Sequence, residues 1–240
     1  MNSVPSSVET LDSFFNGALQ VLQKKNGYRF SVDAVLLSQF IRIRKKEKSI
    51  DLGTGCGIIP LLLSRMSKNC HFVGVEIQKD LADIAKRNVL LNSLENRISI
   101  LHEDFRKLRQ TFPPGSFDLV FSNPPYRRCL TGRMNPCSEK AIARHELRAT
   151  LEDLVAMASY LLLPKGRYYL IYAASRTVDL LAALRKMNLE PKRIRFVHPR
   201  AEGEAKFVLV ESIKDSGVEL NVMSPLILQR SPFRDTEGVK

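Results

Sequence analysis

Long apolar runs are absent from the sequence, and its first residues do not have the pattern of a secretory leader. No apolar run in its 240 residues reaches the roughly 18 residues that a membrane-spanning helix requires. Residues 1–9 lack both the cationic start and the apolar core of a secretory signal. With 44% hydrophobic and 26% charged residues, the composition is typical of a soluble globular protein. We therefore expect a cytoplasmic protein that does not bind membranes.

Cysteine is scarce, and no spacing typical of a metal site occurs. The cysteines share no close pairing or CxxC motif, and the histidines add no zinc-like spacing. We therefore expect reduced thiols and no bound metal. The four cysteines are Cys56, Cys70, Cys129 and Cys137.

Acidic residues are fewer than basic residues. The chain has 37 Lys and Arg against 25 Asp and Glu, which gives a formal net charge of +12 and a pI near 9.7. A cationic surface raises the local concentration of polyanions and makes their binding salt-dependent. Nucleic acid is therefore a candidate partner.

Internal repeats, low-complexity tracts and glycine- or proline-rich linkers are also missing, so we expect one domain with terminal additions. Residues 1–47 are predicted to form an extension, a hairpin plus a helix, that packs on the core. Residues 48–215 are predicted to form the core domain, and residues 216–240 a tail without a recognisable pattern. The hairpin is predicted at 19–30 around Asn26-Gly27, a strong turn signal.

Strand and helix patterns alternate from Ser49 onward. Strands separated by about 10 to 15 residues of helical pattern indicate right-handed crossovers and a parallel sheet with helices on both faces. Asp80 is the predicted N-cap of the second helix, and Lys165-Gly166 is predicted to end the helix that starts near Leu151. Predicted strands cover 49–52, 71–77, 97–101, 117–121, 168–173, 193–197 and 207–212, and predicted helices cover 58–66, 80–94, 105–111, 151–162 and 178–187.

Polar residues follow each of the first four predicted strands. Asp51 opens a glycine-rich turn after the first, and Glu76, Asp104 and Asn123 follow the next three. Open parallel sheets bind ligands at the carboxyl ends of their strands. Four candidates at equivalent positions therefore indicate one common site.

The glycine turn fits the amino-acid part of a ligand. Gly53, Gly55 and Gly57 let the backbone approach a ligand closely, and the free amides of the following helix favour an anionic group. Ile58 occupies the last glycine position of the dinucleotide fingerprint, so the motif is G-x-G-x-G instead. Asp51 fits poorly beside a pyrophosphate but well beside an ammonium group.

The next two acidic residues fit a nucleoside. Glu76 can accept both hydroxyls of a ribose, and Asp104 with Phe105 can hold an adenine whose face Ile77 covers. Together these groups predict S-adenosylmethionine, whereas the competing interpretation is three surface carboxylates that cap helices. The predicted cofactor-binding residues are Asp51, Gly53, Thr54, Gly55, Gly57, Glu76, Ile77, Asp104, Phe105 and Asn123.

The segment Asn123-Pro-Pro-Tyr126 can position an amino group for methylation. The Asn123 side-chain oxygen and the Pro124 carbonyl can accept hydrogen bonds from the two N–H groups of a poorly nucleophilic, conjugated nitrogen. Proline stiffens the segment and adds no competing N–H, and Tyr126 can stack on the substrate ring. The predicted catalytic residues are Asn123, Pro124 and Tyr126.

As a set, Asp51 to Gly57, Glu76 and Asn123 to Tyr126 resemble the class I S-adenosylmethionine-dependent methyltransferases, in the branch that methylates amino groups. The resemblance covers about residues 48–175. It implies a Rossmann-like, seven-stranded, mostly parallel sheet whose last strand is antiparallel, with helices on both faces and a short N-terminal hairpin and helix.

More narrowly, Asn26 to Leu36 and Ala143 to Glu146 resemble the bacterial tRNA(Val) adenine N-6 methyltransferases. This resemblance implies an enzyme that methylates the exocyclic amino group of an adenine in RNA, with tRNA as the expected partner. It also places Phe30 or Asp33 near the methionine part of the cofactor.

Cations after the motif favour an RNA substrate. Residues 42–48 and 185–200 are also rich in cations, although each cluster is equally consistent with a solvated surface. A glutamine amide offers the same two hydrogens, so a release-factor type of protein methyltransferase is the alternative. A binding module without chemistry is disfavoured by the intact Asn123, Pro124 and Tyr126. The predicted substrate-binding residues are Pro125, Tyr126, Arg127, Arg128, Arg144 and His145.

Overall fold

The computed structural model describes residues 6–26, 29–30, 32–124 and 149–228. The N-terminal extension begins with a hairpin of β1 (Glu9–Phe14) and β2 (Leu19–Lys24), followed by α1 (Val32–Phe40). The hairpin turns at Phe15, Asn16 and Gly17, which have φ values of 51, 54 and 86°. The extension thus contains a hairpin, but its strands and turn lie within residues 9–24 and not at the predicted 19–30 around Asn26-Gly27. An Asn-Gly pair ten residues earlier in the sequence makes the turn.

Seven longer strands form the body of the central sheet. They are β3 (Lys48–Leu52), β4 (His71–Glu76), β5 (Ile98–His102), β6 (Phe117–Ser122), β7 (Leu162–Ala173), β8 (Leu189–His198) and β9 (Phe207–Lys214). Their order across the sheet is β5-β4-β3-β6-β7-β9-β8. The pairs from β5 to β7 are parallel, and β9 is antiparallel to both β7 and β8. The predicted fold class is confirmed.

The helices divide between the two faces of this sheet. The first face carries α1 with α2 (Ile58–Met66) and α3 (Lys79–Leu91). The second carries a 3-10 helix (Phe105–Gln110), α4 (Leu151–Leu161) and α5 (Thr177–Lys186). The apolar side chains of both layers are buried against the sheet. Among the described residues, no helix is both long enough and apolar enough to cross a bilayer.

Two local predictions differ from the structure. Gln78, not Asp80, is the N-cap of α3, and Asp80 lies in the first turn, where a carboxylate favours the helix dipole. Lys165-Gly166 does not end a helix, because α4 passes directly into β7 at Leu162. Instead, these two residues lie in a register shift between β7 and β6, where Lys165 has a φ of 62°.

The C-terminal segment lies along the sheet. Two short strands, β10 (Asn221–Val222) and β11 (Leu226–Ile227), pair in parallel with β8. The backbone N–H of Leu228 donates to the carbonyl of His198 at 2.8 Å. Residue 228 therefore lies at the carboxyl end of β8, the same end of the sheet as the carboxyl ends of β3 to β7.

Candidate active site

A cavity of about 360 Å³ lies at the carboxyl ends of the parallel strands. Its volume is within the range of small-molecule sites. Residues at the ends of β3, β4, β5 and β6 all reach this cavity, which is the placement that the strand-end rule predicts. Of the residues predicted for cofactor binding or catalysis, those that line it are Gly53, Gly55, Glu76, Ile77, Asp104, Phe105, Asn123 and Pro124.

The glycine turn has a left-handed backbone that side chains would oppose. Gly53, Gly55 and Gly57 have φ values of 83, 58 and 83°, a region that glycine adopts at little cost. The amides of Gly53 and Thr54 both donate to the Val75 carbonyl at 2.9 Å, which ties the turn to β4. The turn is therefore fixed by the neighbouring strand before any ligand binds.

Glu76 is oriented by backbone amides. Its Oε2 accepts from the Gly55 amide and its Oε1 from the Gln78 amide, both at 2.9 Å. The side chain is buried, yet it lines the cavity. Since each carboxylate oxygen can accept more than one hydrogen, Glu76 retains the capacity to bind a pair of hydroxyls.

Asp104 is held by an arginine two residues away. Its carboxylate accepts from the Arg106 amide at 2.9 Å and from the Arg106 guanidinium at 2.5 to 3.0 Å. Burial opposes ionisation, but these hydrogen bonds lower the pKa of Asp104 below its usual value. Arg106 also lines the cavity, so the predicted adenine acceptor is occupied by a side chain that the sequence did not indicate.

Asp51, Thr54 and Gly57 lie behind the cavity wall. The Asp51 carboxylate and the Thr54 hydroxyl are buried without a hydrogen-bond partner among the described residues. Burial raises the pKa of Asp51 to about 7, and the negative charge of Glu76 adds to this increase. An uncompensated buried carboxylate beneath a ligand loop is suited to a cationic ligand group.

Asn123 and Pro124 follow β6 and line the cavity. The preceding Ser122 is buried, and its hydroxyl is 2.7 Å from that of Tyr168, which fixes the strand end. The other residues predicted for substrate binding and catalysis lie outside the described residues. They are Pro125, Tyr126, Arg127, Arg128, Arg144 and His145.

The extension reaches the cavity through Asp33 at the start of α1, whereas Phe30 packs against Phe14 with ring centroids 5.5 Å apart. Other lining residues were not predicted. Tyr172 is the clearest of these, because the strand-end rule applied to the fifth predicted strand would have found it. The unpredicted lining residues include Gln78, Arg106, Thr150, Leu151, Leu154 and Tyr172.

The fold separates the predicted cationic clusters from one another. Residues 42–48 lead into β3, which begins at Lys48, and therefore lie at the amino end of the parallel strands, opposite the cavity. Arg193 is buried and pairs with Glu211 at 2.7 Å, so it is unavailable to a surface ligand. The loop after His198, in contrast, lies at the cavity end of the sheet, because β8 runs parallel to β7.

Comparisons with known proteins agree with this geometry. The family model described as the methyltransferase small domain matches residues 30–187. A tRNA1(Val) (adenine(37)-N6)-methyltransferase of Porphyromonas gingivalis is 32% identical over 78% of this chain and 70% of its own length. The protein of the same name from Tolumonas auensis is 28% identical over 71% and 70%, respectively.

Solved structures share the fold. The crystal structure of a predicted O-methyltransferase from Agrobacterium tumefaciens has a TM-score of 0.68 and 24% identity, covering 85% of this chain and 93% of that one. Geranyl diphosphate C-methyltransferase from Streptomyces coelicolor, solved with S-adenosyl-L-homocysteine, has a TM-score of 0.58 and 14% identity, covering 76% and 75%.

Proposed function

The chain belongs to the methyltransferase small domain family, and we propose that it transfers a methyl group from S-adenosylmethionine to the exocyclic amino group of an adenine in tRNA. The order of residues along the cavity carries this proposal. Asp104, Glu76, the glycine turn and Asn123 follow four strands that are adjacent in the order β5-β4-β3-β6. The predicted sites for adenine, ribose, methionine and amino group therefore succeed one another in one direction.

The residues fit this cofactor by shape and by chemistry. Neighbouring strands are about 4.8 Å apart, so the ends of β5 to β3 span roughly 10 Å, enough for an extended nucleoside with an amino-acid arm. Asp51 lies buried beneath the glycine turn that would hold the arm, where its negative charge would favour an ammonium group above it, and Glu76 offers the ribose two pre-oriented oxygens. When bound, the cofactor supplies an electrophilic sulfonium methyl group.

Asn123 and Pro124 then have the acceptor role. An amino nitrogen conjugated to a ring is a weak nucleophile, because its lone pair is delocalised. The Asn123 side-chain oxygen and the Pro124 carbonyl would each accept a hydrogen bond from one of its two N–H groups. These bonds would hold the nitrogen in line with the methyl group. Positioning of this kind can contribute on the order of 7 to 11 kcal/mol to catalysis.

The substrate assignment rests on the relatives and on charge. The curated relatives that match most of the chain bear the name of an adenine N6-methyltransferase acting on tRNA1(Val). The formal net charge of +12 favours a polyanionic substrate over a protein amide. A protein glutamine remains the competing acceptor in the test below.

Asn123→Ala in the full chain tests the chemistry. With labelled S-adenosylmethionine and total tRNA, we expect wild-type protein to label N6 of an adenine. The variant should lose about a hundredfold or more in turnover while its affinity for the cofactor is unchanged. Asn96→Ala, an exposed asparagine at the amino end of β5, is the matched control and should behave as wild type.

Two outcomes would contradict the proposal. Label on a protein glutamine but none on RNA would identify the competing substrate class. Normal turnover by the Asn123→Ala variant would show that the asparagine oxygen does not position the acceptor.

A further inference from the structure

Tyr172 lies on the far side of Asn123 from the proposed cofactor residues. In the sheet, β6 separates β3 from β7, and Tyr172 is the penultimate residue of β7. Its side chain lines the same cavity as Asn123 and Pro124. If the cofactor lies over β5, β4 and β3, an acceptor that meets it at Asn123 must approach from the side of β7.

The Tyr172 ring is fixed from outside the cavity. Nη1 of Arg176 donates to the Tyr172 hydroxyl at 2.6 Å, and the guanidinium carbon lies 5.3 Å from the ring centroid. Nε of Arg176 donates to Asp179 at 3.1 Å, which orients the guanidinium in turn. The part of the Tyr172 side chain that lines the cavity is thus held in place, which lowers the entropy cost of packing a ligand ring against it.

Other tyrosines of the same strand have a different role. Tyr168 and Tyr169 are buried in the two layers of the core, where their hydroxyls meet Ser122 and Glu211. Among the described residues, Tyr172 is the tyrosine of β7 that reaches the cavity. Tyr172 also packs in the core of the second face and is 5% exposed, so it differs from Tyr168 and Tyr169 in contributing to the cavity wall.

Arg176 has hydrogen-bonding capacity left for a second ligand group. Its partners among the described residues are Tyr172 and Asp179, so its other terminal nitrogen keeps two hydrogens. The side chain is 25% exposed, and Arg176 lies just after β7, whose carboxyl end is at the cavity end of the sheet. A guanidinium in this setting suits a phosphate oxygen.

We propose that Tyr172 and Arg176 form the subsite for the acceptor nucleotide, with the adenine base against the Tyr172 ring and a backbone phosphate on Arg176. This inference rests on the proposed function, because it presumes a nucleotide acceptor. Such a subsite requires a base that is splayed out of its stack, which favours single-stranded RNA loops over duplexes.

The chain contains a matched pair for the experiment. Tyr160 near the end of α4 also has an arginine on its ring, with the Arg109 guanidinium carbon 4.1 Å from its centroid. Arg185 near the end of α5 pairs with Glu190 at 3.1 Å, the same distance as Arg176 to Asp179. Both helices start at the cavity end and run away from it for about 12 to 15 Å.

The variants Tyr172→Leu and Arg176→Gln should each raise KM for tRNA, by about 10- to 100-fold for the ring and less for the guanidinium. Dissociation constants for S-adenosylmethionine, measured by calorimetry, should stay within about twofold of wild type, as expected for residues outside the cofactor site. Tyr172→Phe keeps the ring and should recover most of the lost affinity for tRNA. Tyr160→Leu and Arg185→Gln should leave both constants unchanged, and thermal unfolding confirms that each variant is folded.

Three outcomes would overturn the inference. An unchanged KM for tRNA in folded Tyr172→Leu would show that the ring does not contact the acceptor. Weakened cofactor binding with normal KM for tRNA would assign Tyr172 to the cofactor site. Failure of the wild-type protein to methylate any RNA would end both this inference and the proposed function, whereas the first two outcomes leave the proposed function intact.

Discussion

Arg106 holds the carboxylate that the sequence assigns to the adenine of the cofactor. Asp104 already accepts hydrogen bonds from the amide and the guanidinium of Arg106, so both of its oxygens are engaged. An incoming amino group must displace part of this contact. The pair is partly exposed, with 34% of the arginine side chain accessible, so its opening should cost no more than about 1 kcal/mol.

Removal of Arg106 should therefore tighten cofactor binding. We expect Arg106→Gln to lower the dissociation constant of S-adenosylmethionine by about two- to fivefold, because Asp104 no longer has to be released first. Calorimetric titration measures this change. Arg109→Gln, on the same 3-10 helix, should have no effect. Weaker binding by Arg106→Gln would mean that the guanidinium itself contacts the cofactor.

Asp51 makes the stability of the ligand-free protein depend on pH. Burial raises the pKa of Asp51 from 3.8 to about 7, so the folded protein holds a proton that the unfolded chain has released. The contribution of this carboxyl to stability is complete below pH 4 and is lost as the pH rises toward 7. A tenfold change in protonation corresponds to about 1.4 kcal/mol, so the loss should exceed about 1 kcal/mol.

Asp51→Asn should remove that pH dependence. Urea unfolding at pH 5 and pH 8 should show a smaller difference in the free energy of unfolding for the variant than for wild type. The exposed Asp215→Asn serves as the control and should keep the wild-type slope. If the free energy of unfolding changed equally with pH in Asp51→Asn and wild type, a group other than Asp51 would bind the proton.

The cavity-lining positions were predictable where a polar residue follows the end of a strand. Glu76, Asp104 and Asn123 were found because each follows an apolar strand, and a parallel sheet gathers such positions at one edge. Arg106 was missed because its role depends on a side-chain rotamer, which the sequence does not show. The depth of Asp51 behind the cavity wall likewise depends on how the glycine turn folds over it.

At the scale of elements, α3 binds the N-terminal hairpin as a neighbouring strand would. The Asn88 amide accepts from the Leu22 N–H at 2.6 Å and donates to the Leu22 carbonyl at 3.1 Å. One turn later, the Asn92 amide makes the same pair of bonds to Gln20. Asn88 also donates to the Cys56 carbonyl at 2.9 Å, which connects the hairpin to the glycine turn.

Asn88→Asp should therefore affect both stability and cofactor binding. The aspartate cannot donate to the two carbonyls, and it places a charge in a fully buried position. We expect a loss of about 3 kcal/mol or more in the free energy of unfolding, measured in urea, and weaker cofactor binding. The exposed Asn96→Asp should change neither quantity. If the variant were destabilised but bound the cofactor with unchanged affinity, the contact between the hairpin and the glycine turn would not contribute to cofactor binding.

These contacts also explain why the hairpin turn was misplaced. Asn16-Gly17 and Asn26-Gly27 are the same dipeptide, so local turn chemistry cannot choose between them. The choice is made by Asn88 of α3 and by Asn92 at its C-cap, which fix Leu22 and Gln20 in the second strand. Helix and strand existence, by contrast, followed from periodicity within each segment.

At the scale of the whole molecule, residues 221–228 cover the edge of the sheet. They pair with β8, and Met223, Leu226 and Leu228 pack against the core of the first face. Unpaired sheet edges readily template association with other chains. The segment therefore protects the outermost strand.

Truncation after Val218 should uncover this edge. We expect a shortened chain that aggregates with increasing concentration, as measured by light scattering, because β8 loses both its backbone partners and its apolar cover. Truncation after Leu228 keeps the cover and should remain monodisperse in the same assay. Equal scattering from the two chains would show that the pairing along β8 contributes little.

The strand order β7-β9-β8 also determines when β8 can join the sheet during synthesis of the chain. In the described structure β8 pairs with β9, β10 and β11, all of which follow it in the chain. Ribosomes add about 5 to 20 residues per second. The synthesis of β8 is therefore finished on the order of a second before β9, which joins it to β7, has been made. During that interval, the growing chain carries a complete strand with no place yet in the sheet.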